Sequence, residues 1–104
     1  MEIIISGRHL EIDDLIREHT ERKVSRLAED YPKLTTARVV LDVERNWRLA
    51  EIIVTGKNIN LEAKAKSSDM FVSVDEAVEK LEKQLRRYLE KIHDHRPDAE
   101  TRNA

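Results

Sequence analysis

The chain contains no cysteine. Disulfides, thiolate metal sites and cysteine nucleophiles are thereby excluded, and the composition suits a reducing compartment. Glycine and proline are scarce, two of each, so no Gly-rich phosphate loop and no Pro-rich linker is available. Neither a Gly-x-Ser-x-Gly elbow nor a His-Glu-x-x-His zinc motif occurs. Aromatic residues number one Trp, two Tyr and one Phe, too few for a platform that stacks a run of unpaired bases. No apolar stretch approaches the ~20 residues that span a bilayer. The start, Met-Glu-Ile-Ile-Ile-Ser-Gly, lacks the basic opening and longer apolar core of a signal peptide. The expectation is a soluble cytoplasmic protein with no membrane partner, no cofactor, no small-molecule substrate and no enzymatic activity.

A net basic charge is missing too. Lys and Arg total 19 against 21 Asp and Glu, for a net charge of −2. On totals alone this is not a nucleic-acid binder, which is expected to be basic. Charged residues nonetheless make up 38% of the 104 residues, so their placement matters more than their sum. A chain of this length makes one domain with a modest core.

The order of elements follows from periodicity. Residues 2–6 are short and β-branched, closed by Gly7, and predict a strand. Asp13 can cap a helix over 14–30, with Asp14 and Glu18 near its positive end. Ile16, Thr20, Val24, Leu27 and Tyr31 share one side of that helix, and Pro32 stops it. Residues 36–44 alternate, with Ala37, Val39, Leu41 and Val43 facing one way and Arg38, Asp42 and Glu44 the other. A turn at Arg45-Asn46-Trp47 leads to a second alternating strand through Ala50, Ile52 and Val54. Another at Gly56-Lys57-Asn58 leads to a third through Ile59, Leu61, Ala63 and Ala65. These short connections predict an antiparallel meander, and the longer helical crossover lets the first strand pair in parallel.

Ser67-Ser68-Asp69 offers caps for the longest element, where Phe71, Val74, Val78, Leu81, Leu85, Tyr88 and Ile92 recur at three- and four-residue spacing. This helix is expected to end near Arg96-Pro97. The domain is read as 1–95, followed by a short polar, disordered tail over 96–104. Two amphipathic helices and one alternating sheet face predict an α+β fold of order βαβββα, a four-stranded sheet with both helices on one face.

Opposite the apolar stripe of the second helix, Lys80, Lys83, Arg87 and Lys91 fall at spacings of three, four and four residues. They form one ridge, beside a second ridge of Glu79, Glu82 and Glu90 that Arg86 interrupts. Two readings fit. One is a solvated face laced with ion pairs such as Glu79–Lys83 and Glu82–Arg86; the other is a stripe that tracks phosphates by a local basic field. On the first helix His19, Arg22, Lys23 and Arg26 gather beside the apolar face, and packing the helices side by side would merge both stripes into one basic groove. His93-x-His95 has metal-ligand residue types, but residues two apart do not share a helix face, so these read as surface histidines. Asp13 and Asp14 read as helix-start residues. Trp47, Met70 and Phe71 read first as packing residues.

The run Asp69-Met70-Phe71, then Asp75, then Lys80-Leu81-Glu82-Lys83-Gln84-Leu85, resembles the signature segment of the ribosome hibernation-promoting and ribosome-associated inhibitor family. So do Glu11-Ile12, Ile16-Arg17-Glu18-His19 and Arg26-Leu27, and the likeness spans residues 1–95 without obvious gaps. The resemblance implies a βαβββα fold similar to double-stranded-RNA-binding domains. It implies binding to the small ribosomal subunit and the 70S ribosome, in the groove for messenger and transfer RNA, with A- and P-site ligands blocked. Ribosomal RNA would be contacted by Lys23 and Arg26 from the first helix and Lys80, Lys83, Arg87 and Lys91 from the second, with Arg86 at the edge. Compared with long members, the chain would lack the further domain through which those pair ribosomes, leaving any part in ribosome dimerisation, and self-association, open. Two other functions compete: a regulator that binds an alternative sigma factor through the sheet face or Trp47, and a free-standing duplex-RNA binder.

Overall fold

Strand formation begins where β-branched residues cluster. The computed structural model describes residues 1–94, with side chains through Lys91. It contains β1 (Glu2–Arg8), α1 (Asp14–Asp30), β2 (Leu34–Glu44), β3 (Trp47–Gly56), β4 (Ile59–Ser67) and α2 (Met70–Asp94). The four strands form one sheet in the order β1-β2-β3-β4. β1 runs parallel to β2, while β2–β3 and β3–β4 are antiparallel, as crossover and hairpin lengths dictate. Both hairpin loops are two residues long, since Glu44 pairs with Trp47 and Gly56 with Ile59. Trp47 and Gly56 therefore belong to β3 and not to turns. Arg45 and Asn58 take up the left-handed bend, at φ of 58° and 60°.

Gly56 is needed for closeness, not for an unusual dihedral. A Cβ there would run into the Lys33 carbonyl oxygen and approach Leu34 Cα to 3.0 Å. Beside it, the Thr36 and Thr55 hydroxyls are hydrogen-bonded to each other where the β2–β3 register shifts.

The core lies between the helices and one sheet face. Ala37, Val39, Leu41, Ala50, Ile52, Val54 and Ala63 supply the sheet side. From α1 come Ile16, Val24 and Leu27, and from α2 Val74, Ala77, Leu81 and Leu85. Asp13 caps α1, its Oδ1 accepting from the Ile16 amide at 2.9 Å. Asp69 caps α2 through the Phe71 amide, also at 2.9 Å. One expected core position is displaced: Phe71 is 40% exposed. Ser73 and Ala77 are buried on the same helix instead, because the stripe centres on Val74, Ala77 and Leu81 and leaves Phe71 at its margin beside α1. Ile92, the His93-x-His95 motif, the helix end near Arg96-Pro97 and the tail over 96–104 lie outside the residues whose side chains are described.

The opposite sheet face carries charge at alternate positions. Glu51, Glu62 and Lys64 form a cluster, with Lys64 Nζ 3.7 Å from Glu51 and 3.8 Å from Glu62. The hydrogen bond between Glu62 and Glu51 raises the Glu62 pKa, with partial desolvation and the Glu51 charge acting the same way. At the far end Asp42 is held below the usual carboxylate range, chiefly by its hydrogen bond to His9. A raised carboxyl pKa means that the folded protein keeps a proton the unfolded chain has lost, so stability falls as pH rises through that window.

Replacing Gly56 with Ala is expected to destabilise the fold by roughly 1–3 kcal/mol, read as a lower urea midpoint with unchanged m-value; an unchanged midpoint would show that the Lys33–Leu34 backbone yields freely. Glu62→Gln removes the proton-dependent repulsion from Glu51. Its melting temperature should decline less than wild type's between pH 4.5, the ordinary value for this group, and about pH 7; parallel curves would refute the coupling.

Candidate nucleic-acid interface

Helix α2 packs beside β4, and the two repeats nearly match. Four residues of helix advance about 6.0 Å, and two residues of strand about 6.8 Å. Donors four apart on α2 thus meet outward carbonyls two apart on the β4 edge. Lys80 Nζ donates to the Lys64 carbonyl at 2.7 Å, and Gln84 Nε2 to that of Glu62 at 2.9 Å. Tyr88, with the longest reach, donates its hydroxyl to the Asn58 carbonyl at 2.7 Å. Groups that an exposed edge strand would offer to another chain are occupied from within.

This seam fixes where the basic ridge points. Lys80 is tied to β4, while Lys83 and Arg87 lie next to it and are exposed, as is Lys91. From Lys80 to Lys91 the flank is about 16 Å long at the rise of an α-helix. Among the described residues no carboxylate lies within ion-pair distance of Lys83, Arg86 or Arg87, so the pairs Glu79–Lys83 and Glu82–Arg86 are not closed. At Lys83 and Arg87 the surface is therefore not laced by ion pairs among these residues. Lys66, exposed on β4, extends the flank onto the strand, whereas Lys64 there is engaged by Glu51 and Glu62; in sequence both are simply the polar half of an alternating strand.

The other side of α2 is different. The groove between the helices is lined by Lys23, Arg26 and Leu27 of α1 and by Asp75, Val78, Glu79 and Glu82 of α2. His19 Nε2 lies 2.7 Å from Asp75 Oδ1, and Lys23 Nζ lies 3.8 Å from the same oxygen. The His19 ring meets Phe71 edge-on, centroids 5.0 Å apart at 80°. The expected merger of both stripes into one basic groove therefore does not occur. The apolar stripe of α2 separates its two flanks, so the flank that meets α1 presents Asp75 and Glu82 while Lys80, on the other, reaches β4. Lys23 is half-buried and engaged by Asp75, Arg26 is exposed on the groove wall, and Arg86 is exposed on the same side of α2 as Glu82.

Gln84, Tyr88 and the inter-helix role of Asp75 do not stand out in the sequence. A signal exists for the first two, because Lys80, Gln84 and Tyr88 are donors at four-residue steps facing an alternating strand. Among the described residues no three His, Asp or Glu side chains are grouped to hold a metal ion. No described helix is long and apolar enough to cross a membrane.

Known proteins share this geometry. Residues 3–93 match the family described as sigma 54 modulation protein / S30EA ribosomal protein. A ribosome hibernation promoting factor of Azotobacter vinelandii is 31% identical over 91 residues, covering 88% of this chain and 85% of that protein. The factor of the same name from Escherichia coli K12 is 26% identical over 95 residues, covering 91% of this chain and all (100%) of its own. Among solved structures, a ribosomal subunit interface protein from Coxiella burnetii superposes with a TM-score of 0.80 at 27% identity, covering 85% of this chain and 97% of that one. The N-terminal domain of Thermus thermophilus Protein Y gives 0.77 at 34% identity, covering 85% and 99%. The match over nearly all the described residues, on the βαβββα order built above, establishes that the chain belongs to the sigma 54 modulation protein / S30EA ribosomal protein family.

Proposed function

We propose that this chain is a cytoplasmic ribosome hibernation factor, acting as one domain over residues 1–95. It binds the small subunit of the ribosome in the groove for messenger and transfer RNA and silences translation by blocking the A and P sites. The observation that carries this reading is the basic flank of Lys80, Lys83, Arg87 and Lys91, segregated on an otherwise acidic protein and free of closed ion pairs at Lys83 and Arg87 among the described residues. The names of the relatives, ribosome hibernation promoting factor and ribosomal subunit interface protein, supply the ribosome.

Mechanistically this is occlusion, not catalysis. A rigid α/β layer presents cations to the phosphate backbone of ribosomal RNA, with little readout of sequence, and its volume excludes other ligands. Lys83 and Arg87 are its primary phosphate contacts. Lys80 contributes charge from a tethered position, since its ammonium already serves Lys64. Arg26, Lys23 and Arg86 form a second, weaker contact across the helix crest, where Glu79 and Glu82 restrict how closely RNA can approach.

The test is co-sedimentation with ribosomes for wild type and the Lys83→Glu/Arg87→Glu double variant, which spares the Lys80 tie to β4. The variant should bind weakly, and the slope of log affinity against log salt should flatten by roughly 0.7–0.9 for each phosphate that is no longer neutralised. Transfer RNA should compete with wild type. A folded variant that sediments like wild type across the salt series would refute the interface.

A further inference from the structure

Trp47 is the chain's sole tryptophan and has no part in the flank described above. It opens β3 at the tip of the β2–β3 hairpin, 44% exposed, with Lys66 Nζ 5.0 Å from the ring centroid. Its surroundings are fixed. The carbonyl of the next residue, Arg48, accepts a 2.7 Å hydrogen bond from the buried Ser73 hydroxyl of α2, which also lies 2.7 Å from Ser67 Oγ. The Arg48 guanidinium donates back to the Trp47 carbonyl at 3.5 Å. A large ring is thus held at the surface on a pinned strand, with one cation over it and Arg45 exposed beside it.

We propose that Trp47 is a stacking contact for one unpaired nucleobase, at the head of the basic flank. The inference rests on the ribosomal-RNA reading given above and extends it from phosphates to a base. Three observations carry it. The first is continuity: β4 runs from Lys66 under Trp47 to Lys64, whose carbonyl is bonded by Lys80, the first residue of the basic ridge. Lys66, Lys64 and Lys80 line one shallow depression together with Glu51 and Glu76, so the cations that lead from the ring reach the first residue of the ridge. The second is chemistry. Glu44 stands opposite Trp47 in the ladder, so this end is not a plain phosphate site; what it offers is a flat π-face polarised by a cation, which accepts a base of any sequence. The third is order. The strand that carries the ring is anchored through the Arg48 carbonyl, so less backbone freedom is lost on binding, and the exposed ring already holds one cation, Lys66.

The experiment compares ribosome binding by wild type, Trp47→Leu, Trp47→Phe and Lys83→Glu/Arg87→Glu across salt, with chemical footprinting of the small-subunit RNA. Loss of one stacked base weakens binding by roughly 5- to 150-fold. Because stacking releases no counterions, Trp47→Leu should lower affinity by the same factor at every salt concentration with an unchanged slope, whereas the flank variant changes the slope. Trp47→Phe should retain most of the affinity. Wild type and Trp47→Phe should protect one unpaired nucleotide that Trp47→Leu leaves reactive. If Trp47→Leu binds like wild type while the flank variant does not, the stacking proposal fails and the ribosome reading stands. If Trp47→Leu binds weakly but no nucleotide changes reactivity, the ring contacts protein and the proposal fails as well. If wild type does not bind ribosomes at all, both fall together. A variant-free check uses tryptophan emission: labelled single-stranded oligoadenylate, bound at low salt as judged by its anisotropy, should quench Trp47. Bound RNA that leaves the emission unchanged, or RNA that does not bind, overturns the proposal.

Discussion

The arrangement depends on α2 being held in two ways at once. Its apolar stripe, through Val74, Ala77, Leu81 and Leu85, sits on the sheet, while Lys80 and Gln84 bond edge carbonyls of β4 and Tyr88 that of Asn58 in the turn before it. Either contact alone would leave the helix some freedom to roll. Burial of a hydrophobic stripe is non-directional, and the hydrogen bonds supply the missing angular constraint. With the roll fixed, every other position on α2 has an assigned direction: Ser73 toward the hairpin, Asp75 toward His19 of α1, Lys83 and Arg87 toward solvent beside β4. The direction of the basic flank is thus a consequence of how the helix is seated.

The sequence was most informative where one period dominated. Alternation in β2, β3 and β4 set faces and register, and Asp13 and Asp69 marked helix starts that their side chains do cap. The parallel pairing of β1 followed from the length of its crossover. What stayed hidden were properties of two elements together. Lys23 and Lys83 read alike as surface cations, yet one meets Asp75 of the neighbouring helix and the other has no carboxylate within ion-pair distance among the described residues. Phe71 has the spacing of a core residue, but a stripe is wider than its buried centre, and only packing decides which margin is covered. The groove failed for the same reason: helical periodicity tells which residues share a side, not which side the partner helix takes.

An acidic protein with a basic flank distributes charge in a way its total conceals. Glu79 and Glu82 line the inter-helix groove on the other flank of α2, and the Glu51–Glu62 pair sits across the edge on the open sheet face. A polyanion meets attraction on one narrow side and repulsion nearby, which confines the orientations that can bind. Net charge near zero limits indiscriminate adhesion to polyanions, while the field of a local basic flank acts only within about 10 Å at moderate salt.

The two borders of the sheet are unequal. α2 occupies outward carbonyls of β4, whereas β1, the other border strand, receives no side-chain hydrogen bond on its backbone among the described residues. Lateral growth by strand addition needs two open borders per molecule if it is to propagate into a filament. With the Glu62 and Lys64 carbonyls already bonded, the β4 border is the poorer template for an added strand and β1 the more open one. The helix that seats the cations also guards the β4 border of the sheet, so a strand added there has to displace the Lys80 and Gln84 hydrogen bonds first.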